Sequence, residues 1–531
     1  MRSTLKRLGR HIVRLLLAAV LTALFSLGGP PVRWQGWAAP PEGSTVVTAQ
    51  EARTAAENWL RFILGRDGQW GSSRAPSLGP IRELRRGAHV VAYYVAINPQ
   101  GYIALSPIRD FAPIMAYSTE SDLDPDEEAG MASLLRSVGH ARVEFALQRF
   151  GALHAARLAE VDPRASTANR QVWSRLLQVE GNLFSEMGSS VPASGGRAGP
   201  LLSTRWSQRP PYNDRCPAKR CEWGDFGGFN QNAVVGCVPL AMAQIMRYFA
   251  WPPAHAGRVY QWPRMLEVYQ WDSWSDQFAD QDWVPVTQAQ IDAVAELCAD
   301  VGSRLSITYG CKETSAYMCN WYYNDARDAF EDHFLYSSPT WDEPSCEDRD
   351  SYEFLEWWHM ITGEVEHNRP MLYRIADTDF AHCIVVDGYD HTSGQYLVHA
   401  NYGWGGGHNG WYALDDFDCD GPCKWSQYEM VRMIYPRTGL CDYASGHFRP
   451  LDVPHYVYCD LTLHHVTIHA GTRLQFLPQT RIIGGPGSSA EIHGGEGPPT
   501  RLASDGVWSR GLVLSGGGMI KLQPGGSIKV Y

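Results

Sequence analysis

All twelve cysteines lie between Cys216 and Cys459, and the first two hundred residues have none. That N-terminal part folds without disulfides and obeys a different design from the rest. Positive charge is also scarce. The formal net charge is -11, with no basic patch carrying interleaved aromatics, so nucleic acid is excluded as the main partner. Long apolar runs are missing too. Leu15 to Leu27, thirteen residues, is too short for a membrane span, and no second span follows. The chain does not lack core-forming residues: 44% are hydrophobic and 12% aromatic, with 20 tryptophans, as a folded protein of several domains requires.

The short apolar run has a positive flank of Arg2, Lys6, Arg7, Arg10 and Arg14. Small residues, Ala38 and Ala39, follow it. This is the layout of an export signal, residues 1–39, and it predicts a secreted or surface protein that meets the membrane through that segment. A retained anchor is the other reading of the same run. An oxidising compartment makes disulfides the expected state of the cysteines. Setting one aside for chemistry leaves an odd number, so at least one more should be unpaired; Cys383, inside an apolar run, is the candidate. Cys216 with Cys221, or Cys311 with Cys319, has the look of half a zinc site, but no second pair with histidines follows, and disulfides fit better.

Texture divides the rest. Residues 45–188 mix helix and strand signals: "AQEARTAAENWLRFIL" has helical spacing, and "HVVAYYVAINPQGYIALSP" reads as two strands joined at Asn98–Gly101. Residues 189–200, "SSVPASGGRAGP", form a small, glycine-rich linker of the kind proteases cut. Residues 201–438 are dense in tryptophan and cysteine. From 439 to 531 short alternating strands and glycine-rich turns predict an all-β module, either a small sandwich or a stack of short turns. No acid, base or nucleophile converges there, so binding or sorting is its expected role.

One constellation carries chemistry. In "NQNAVVGCVPLAMAQIMRYF" Cys237 opens a helix whose apolar residues recur at helical spacing, with Pro239 tolerated in the first turn. The free N–H groups and dipole of a helix N-terminus stabilise a thiolate and predict a lowered pKa. Gln231, six residues upstream, offers an amide donor for an oxyanion, with the Cys237 N–H as the second donor. "AHCIVVDGYD" places His382 at the start of a buried strand, as a base for the thiol. Nineteen residues on, in "HANYGWGGGHNGWYAL", Asn401 is the candidate to orient the imidazole and Trp404 to shield that bond. Asp387 and Asp390 are the alternative orienters, but they follow His382 within one strand and turn and read as structural. Taken alone, any one of 18 histidines, or a cysteine at a helix start, is more often a core residue.

Together these blocks, with Trp206 and "PYNDRCP", resemble the streptopain family of cysteine peptidases. The resemblance implies an α+β, papain-like two-lobed peptidase at 201–438, behind an inhibitory α+β propeptide at 45–188, where "GYIALSP" and "APIMAYS" are similar to the family's inhibitory domain. It implies Cys237 as nucleophile, His382 as base then acid, Gln231 as oxyanion donor, Asn401 as orienter and Trp404 as shield. The implied partners are peptide or protein substrates and the chain's own propeptide, with a preference for an apolar side chain two residues before the cut. Tyr402 and Pro239 depart from the family's usual residues, and the stretch from Trp251 to Glu356 does not align.

Neither a cofactor nor a metal is expected. Asp416, Asp418, Asp420 and Gly421 stand in calcium-loop order, but the position needing a bidentate glutamate holds Gln427, so a solvated loop pinched by Cys419 and Cys423 is the reading. The expected whole is a self-processing zymogen that hydrolyses peptide bonds through an acyl-enzyme. The rivals are another thiol acyl-transfer enzyme on a similar fold (a transglutaminase or cell-wall amidase), which a peptide-hydrolysis assay separates, and a non-catalytic adhesin, which has no need of an intact Cys–His–Asn–Gln set.

Overall fold

The computed structural model describes residues 45–127, 130–178, 196–220, 231–320, 322–337, 344–376, 381–414, 429–448, 451, 455–468 and 473–477, and seven short strands between 481 and 530. The export signal, the first half of the linker, Cys221 and the Asp416–Gly421 loop lie outside these residues. Among the described residues no helix is long and apolar enough to cross a membrane.

Helix α1, Ala49–Asp67, starts where Thr48 and Glu51 cap each other and stops at Gly68, whose left-handed backbone ends the last turn. Four antiparallel strands follow: β1 (Ser77–Arg86), β2 (His89–Asn98), β3 (Tyr102–Leu105) and β4 (Ile114–Ser118). The turn expected at Asn98–Gly101 joins β2 to β3. Helix α2, Gly130–Phe150, begins just after the acidic stretch, and α3 spans Pro163–Leu176. The cysteine-free part is thus α+β.

Next along the chain come β5 (Arg197–Ala198), α4 (Cys237–Phe249), β6 (Gln270–Asp272), β7 (Gln277–Ala279), α5 (Gln288–Ser303), β8 (Ser345–Asp348) and α6 (Phe354–Glu366). After them run β9 (Met371–Ala376), β10 (Ala381–Asp390), β11 (Leu397–Asn401), β12 (Gly410–Ala413) and β13 (Glu429–Arg432). One antiparallel sheet runs in the order β1-β2-β3-β4-β12-β11-β10-β9-β13-β8. The first part of the chain is therefore laid edge to edge onto the second, with Tyr117 opposite Trp411 and Ala116 opposite Tyr412. The sheet alternation sorts side chains onto two faces. Ile384 and Val386 of β10 pack with α2 residues such as Met131 and Leu135. Cys383 and Val385 pack with α4 and α5 on the other face.

The linker is not uniform. Its C-terminal end is strand β5, which adds to β10 with Ala198 opposite Tyr389. Composition alone reads this stretch as open because glycine and proline dominate it, yet Gly199 is where the backbone passes closest: a Cβ there would sit 2.3 Å from the Asp387 carbonyl oxygen.

The tail strands Gly439–Phe448 and His455–Ile468 pair in parallel. The second pairs in parallel with Arg473–Phe476, Arg481–Gly484 and Ser489–Ile492, and these pair with a further parallel row. Of the two expected forms this is the stack of short turns, since a sandwich of hairpins would pair antiparallel. Cys441–Cys459 staples its first two strands, and Cys319–Cys346 ties a loop to strand β8. Cys311 is also disulfide-bonded. Cys383 is a free, buried thiol, as expected; Cys216 and Cys298 are free and buried too.

Candidate active site

Cys237 stands at the first position of α4 because Gly236 turns the chain there. Gly236 has φ 97°, and a Cβ would press on Thr314 at 3.0 Å, so the backbone angle and the close approach both demand glycine. Helix α4 is apolar from Val238 to Met246 except for the buried Gln244, and packs against β10 and α5. This packing carries the N-terminus of α4 to the start of β10. There the amide of Cys383 faces the Cys237 sulfur, and Cys383 directly follows His382. The sequence places the two chemical residues 145 positions apart (382 − 237); one helix–sheet contact brings them to one end of the sheet.

His382 is 5% exposed. Its Nε2–H donates to the Tyr402 carbonyl oxygen at 2.9 Å. The indole of Trp404 lies against the ring, centroids 4.6 Å apart, and the Tyr402 ring stacks at 5.9 Å. Trp404 therefore lies over the imidazole itself.

The orienting bond falls elsewhere than predicted. The Asn401 amide donates from Nδ2 to the Thr204 carbonyl at 2.7 Å, and its Oδ1 accepts from the Gly403 N–H at 3.0 Å. Asn409 Oδ1 accepts the Tyr402 N–H at 3.1 Å. The two asparagines thus grip the backbone on either side of Tyr402 and aim its carbonyl at the ring. Asn401 lies opposite Val385 in the ladder, three residues along β10 from His382, so its side chain serves the turn and not the imidazole. The sequence reading missed Tyr402 because a main-chain acceptor leaves no trace in residue type. Asp387 accepts from His399 Nδ1 at 2.6 Å and from the Leu202 N–H, and Asp390 faces Arg66, so both are structural as expected. Gln231 lies on the incoming strand, paired with Lys219; its side chain falls outside the described residues.

The electrostatics of this form differ from the expectation. Burial pushes the Cys237 thiol up, outweighing the N–H groups of Cys383, Val238 and Cys237 itself, and the Glu313 carboxylate adds to the rise. Part of the residue is open, but its sulfur is surrounded by protein, so desolvation exceeds the helix-terminus effect. Burial likewise takes His382 down to about 4, against the opposing pull of the Tyr402 carbonyl. The pair here is a neutral thiol and a neutral imidazole.

The N-terminal part reaches the same loop. Ser118 Oγ donates to the Asn409 carbonyl at 2.6 Å, Ser121 Oγ accepts the His408 N–H at 3.1 Å, and Glu120 pairs with Arg205 at 3.1 Å. The turn that aims the Tyr402 carbonyl is therefore held from both sides.

Residues 206–412 match the Peptidase C10 family, and residues 44–141 match the Spi protease inhibitor family. Residues 206–412 are thus similar to the streptopain, or C10, family of cysteine peptidases. The chain is 26% identical over 227 residues to streptopain of Streptococcus pyogenes, covering 40% of this chain and 53% of that protein. It is also 26% identical over 221 residues to the thiol protease/hemagglutinin PrtT of Porphyromonas gingivalis, covering 23% of that protein. The chain thus spans about half the length of the streptopains it matches. A prointerpain A fragment from Prevotella intermedia superposes with a TM-score of 0.46 at 20% identity, over 68% of this chain and 100% of the fragment. The C10 match encloses Gln231, Cys237, His382, Asn401 and Trp404, and the inhibitor match encloses α1, β1 to β4 and the start of α2.

Proposed function

We propose that this chain is the precursor of a secreted cysteine endopeptidase, in which 1–39 directs export, 45–188 inhibits, 189–200 is cut, 201–438 catalyses and 439–531 is an accessory β module. The observation that carries the reading is the His382 imidazole, fixed on the Tyr402 carbonyl and covered by Trp404 at the strand end that faces the helix-borne Cys237. When the site opens, the Cys237 sulfur gives its proton to His382 and attacks the scissile carbonyl carbon. The Cys237 N–H and the Gln231 amide stabilise the oxyanion. His382 protonates the leaving amine, then takes a proton from water as that water attacks the thioester, releasing the acid and restoring the thiol. Asn401 and Asn409 are positioning residues for the carbonyl that orients the base. Substrates are proteins or peptides, with an apolar side chain two residues before the cut. The disposition of a base, its orienter and a thiol favours this reading over an adhesin.

Self-processing tests it. The secreted protein should yield a shortened mature form, while Cys237→Ala accumulates near full length. Gln231→Ala should lower kcat by roughly 10²–10³ with little change in KM. N-terminal sequencing, mass and a peptide-hydrolysis assay read all three; a Cys237→Ala protein that still matures after purification overturns the assignment of the nucleophile.

A further inference from the structure

The peptidase part carries a surface that the reaction does not use. Strands β6 and β7 form a hairpin with Trp271 opposite Phe278, and a second tight turn follows at Asp280–Val284. Trp274 at the first turn is 98% exposed, Trp283 at the second 60%, and Trp271 on the strand 52%. Indole left in water forfeits the stabilisation that burial gives, and a cluster of it marks a contact surface.

Both turns are built to hold these rings out. Asp272 Oδ1 accepts the Trp274 N–H at 2.9 Å and Oδ2 accepts the Ser275 hydroxyl. Asp280 Oδ1 accepts the N–H groups of Asp282 and Val284, each at 2.9 Å, and the Asp280 carbonyl accepts that of Trp283. Trp283 takes φ 60°, a backbone region that bulky residues avoid, so its display is held against a local cost. Strand β7 is three residues long. At about 3.3 Å per residue the two turns are roughly 10 Å apart, within reach of one short peptide.

Along this stretch of chain the charge is of one sign. Between Arg264 and Arg304 there is no Lys, Arg or His, and the hairpin and second turn carry Asp272, Asp276, Asp280 and Asp282. None of these four carboxylates takes part in an ion pair among the described residues, whereas Glu267 and Asp292 beside them are matched by Arg247 and Arg215. Exposed indole beside unmatched carboxylate is complementary to guanidinium and ammonium groups, which lie on the ring face and bond the carboxylate. An anionic membrane surface would be repelled.

The hairpin also springs from the wall of the cleft. Val268, two residues before β6, bridges to Arg205, and the Trp206 indole donates to the Leu266 carbonyl at 2.9 Å. The Trp206 carbonyl in turn accepts the N–H of Gly405, the neighbour of Trp404.

We propose that this hairpin is a docking surface for a lysine- and arginine-rich polypeptide, and that it retains basic protein substrates beside the active site; the second half rests on the proposed function. The test uses the full chain carrying Cys237→Ala, so that binding is read without turnover. Three probes are titrated: an arginine-rich peptide, a neutral oligosaccharide, and phosphatidylglycerol–phosphatidylcholine vesicles. The arginine-rich peptide should bind, more weakly as salt rises, and the Trp274→Ala/Trp283→Ala pair should weaken it at least tenfold. Asp276→Asn/Asp282→Asn, which leaves the two turn-closing aspartates in place, should weaken it severalfold. With Cys237 intact, the tryptophan pair should raise KM for a basic protein and leave turnover of a short neutral peptide unchanged. Equal affinity in the tryptophan pair, no binding of the arginine-rich peptide, or preference for the sugar or the vesicles overturns the proposal. Binding as expected in a chain that cleaves nothing would retain the docking surface and remove the peptidase reading.

Discussion

At the scale of single residues, the same few atoms decide protonation and orientation. His382 has its pKa taken from the ordinary 6.5 to about 4 by burial. In the unfolded chain the ring takes up a proton as pH falls through 6.5, while in the folded chain it does not until about 4. The unfolded state binds more protons in that window, so this contribution to stability is present above 6.5, is lost as pH falls toward 4, and changes no further below it. At 1.36 kcal/mol per pKa unit the span is about 3 kcal/mol. Denaturant unfolding of the Cys237→Ala chain between pH 7 and 4 should show this slope, and His382→Gln should remove it; two parallel curves would place the ring in water. A second residue-level expectation separates the orienting groups. Tyr402→Phe keeps the backbone carbonyl and should retain most of kcat, whereas Asn401→Ala frees the Gly403 N–H and the Thr204 carbonyl and should lower kcat by roughly 10²-fold through misplacement of the base. If Tyr402→Phe were the more damaging, in two folded proteins, the ring and not the carbonyl would be the orienter.

At the scale of elements, the cysteine-free domain is fastened by charge as well as by its strand ladder. Arg66, in the last turn of α1, pairs with Asp390 at the end of β10 at 2.5 Å and with its neighbour Asp67 at 2.8 Å. Arg197 of β5 pairs with Asp67 at 3.0 Å and lies over the Trp411 ring. The cluster joins α1, the end of the linker and the catalytic sheet. Asp390 is 1% exposed, and without Arg66 it keeps only the longer contact to Arg197 at 3.8 Å and the bonds from Thr392, so the loss stays below the roughly 3–5 kcal/mol of a fully orphaned buried charge. Arg66→Ala should therefore loosen the hold of α1 and speed maturation. Adding Asp390→Asn should recover part of the loss, because the weakly paired charge goes with it. Hydrogen exchange of the α1 amides and the rate of processing measure both. A single variant indistinguishable from the parent would mean that the ladder alone holds the domain.

For the molecule as a whole, the first part of the chain and the second share one continuous sheet and an apolar layer, and an apolar pocket of about 60 Å³ remains between α2 and the strands. While the linker is intact, tethering holds the domain at roughly millimolar effective concentration; cutting it removes that advantage. Because Arg197 and Ala198 are already paired with β10, the cut should fall before Gly196. N-terminal sequencing of the mature protein decides this, and a start beyond Ala198 would require β5 to peel away first. Supplied separately, the domain at 45–188 should inhibit the mature enzyme reversibly and in competition with peptide substrate. A folded domain without effect at high micromolar concentration would leave it a folding aid.

Much of this was legible from residue order. Helical spacing gave α1 and α4, two strand runs around a turn signal gave β2 and β3, a buried apolar run gave β10, and the blocks around Cys237, His382 and Asn401 gave the family resemblance, because local periodicity and residue chemistry are properties of short segments. Three things were decided by tertiary structure. The orienting acceptor is a main-chain carbonyl, which any residue type supplies. The thiol is raised and not lowered, because desolvation depends on what covers it, and the cover comes from far along the chain. The end of a glycine-rich linker is a strand, because its partner β10 lies about two hundred residues away and pairing depends on the partner as much as on local propensity.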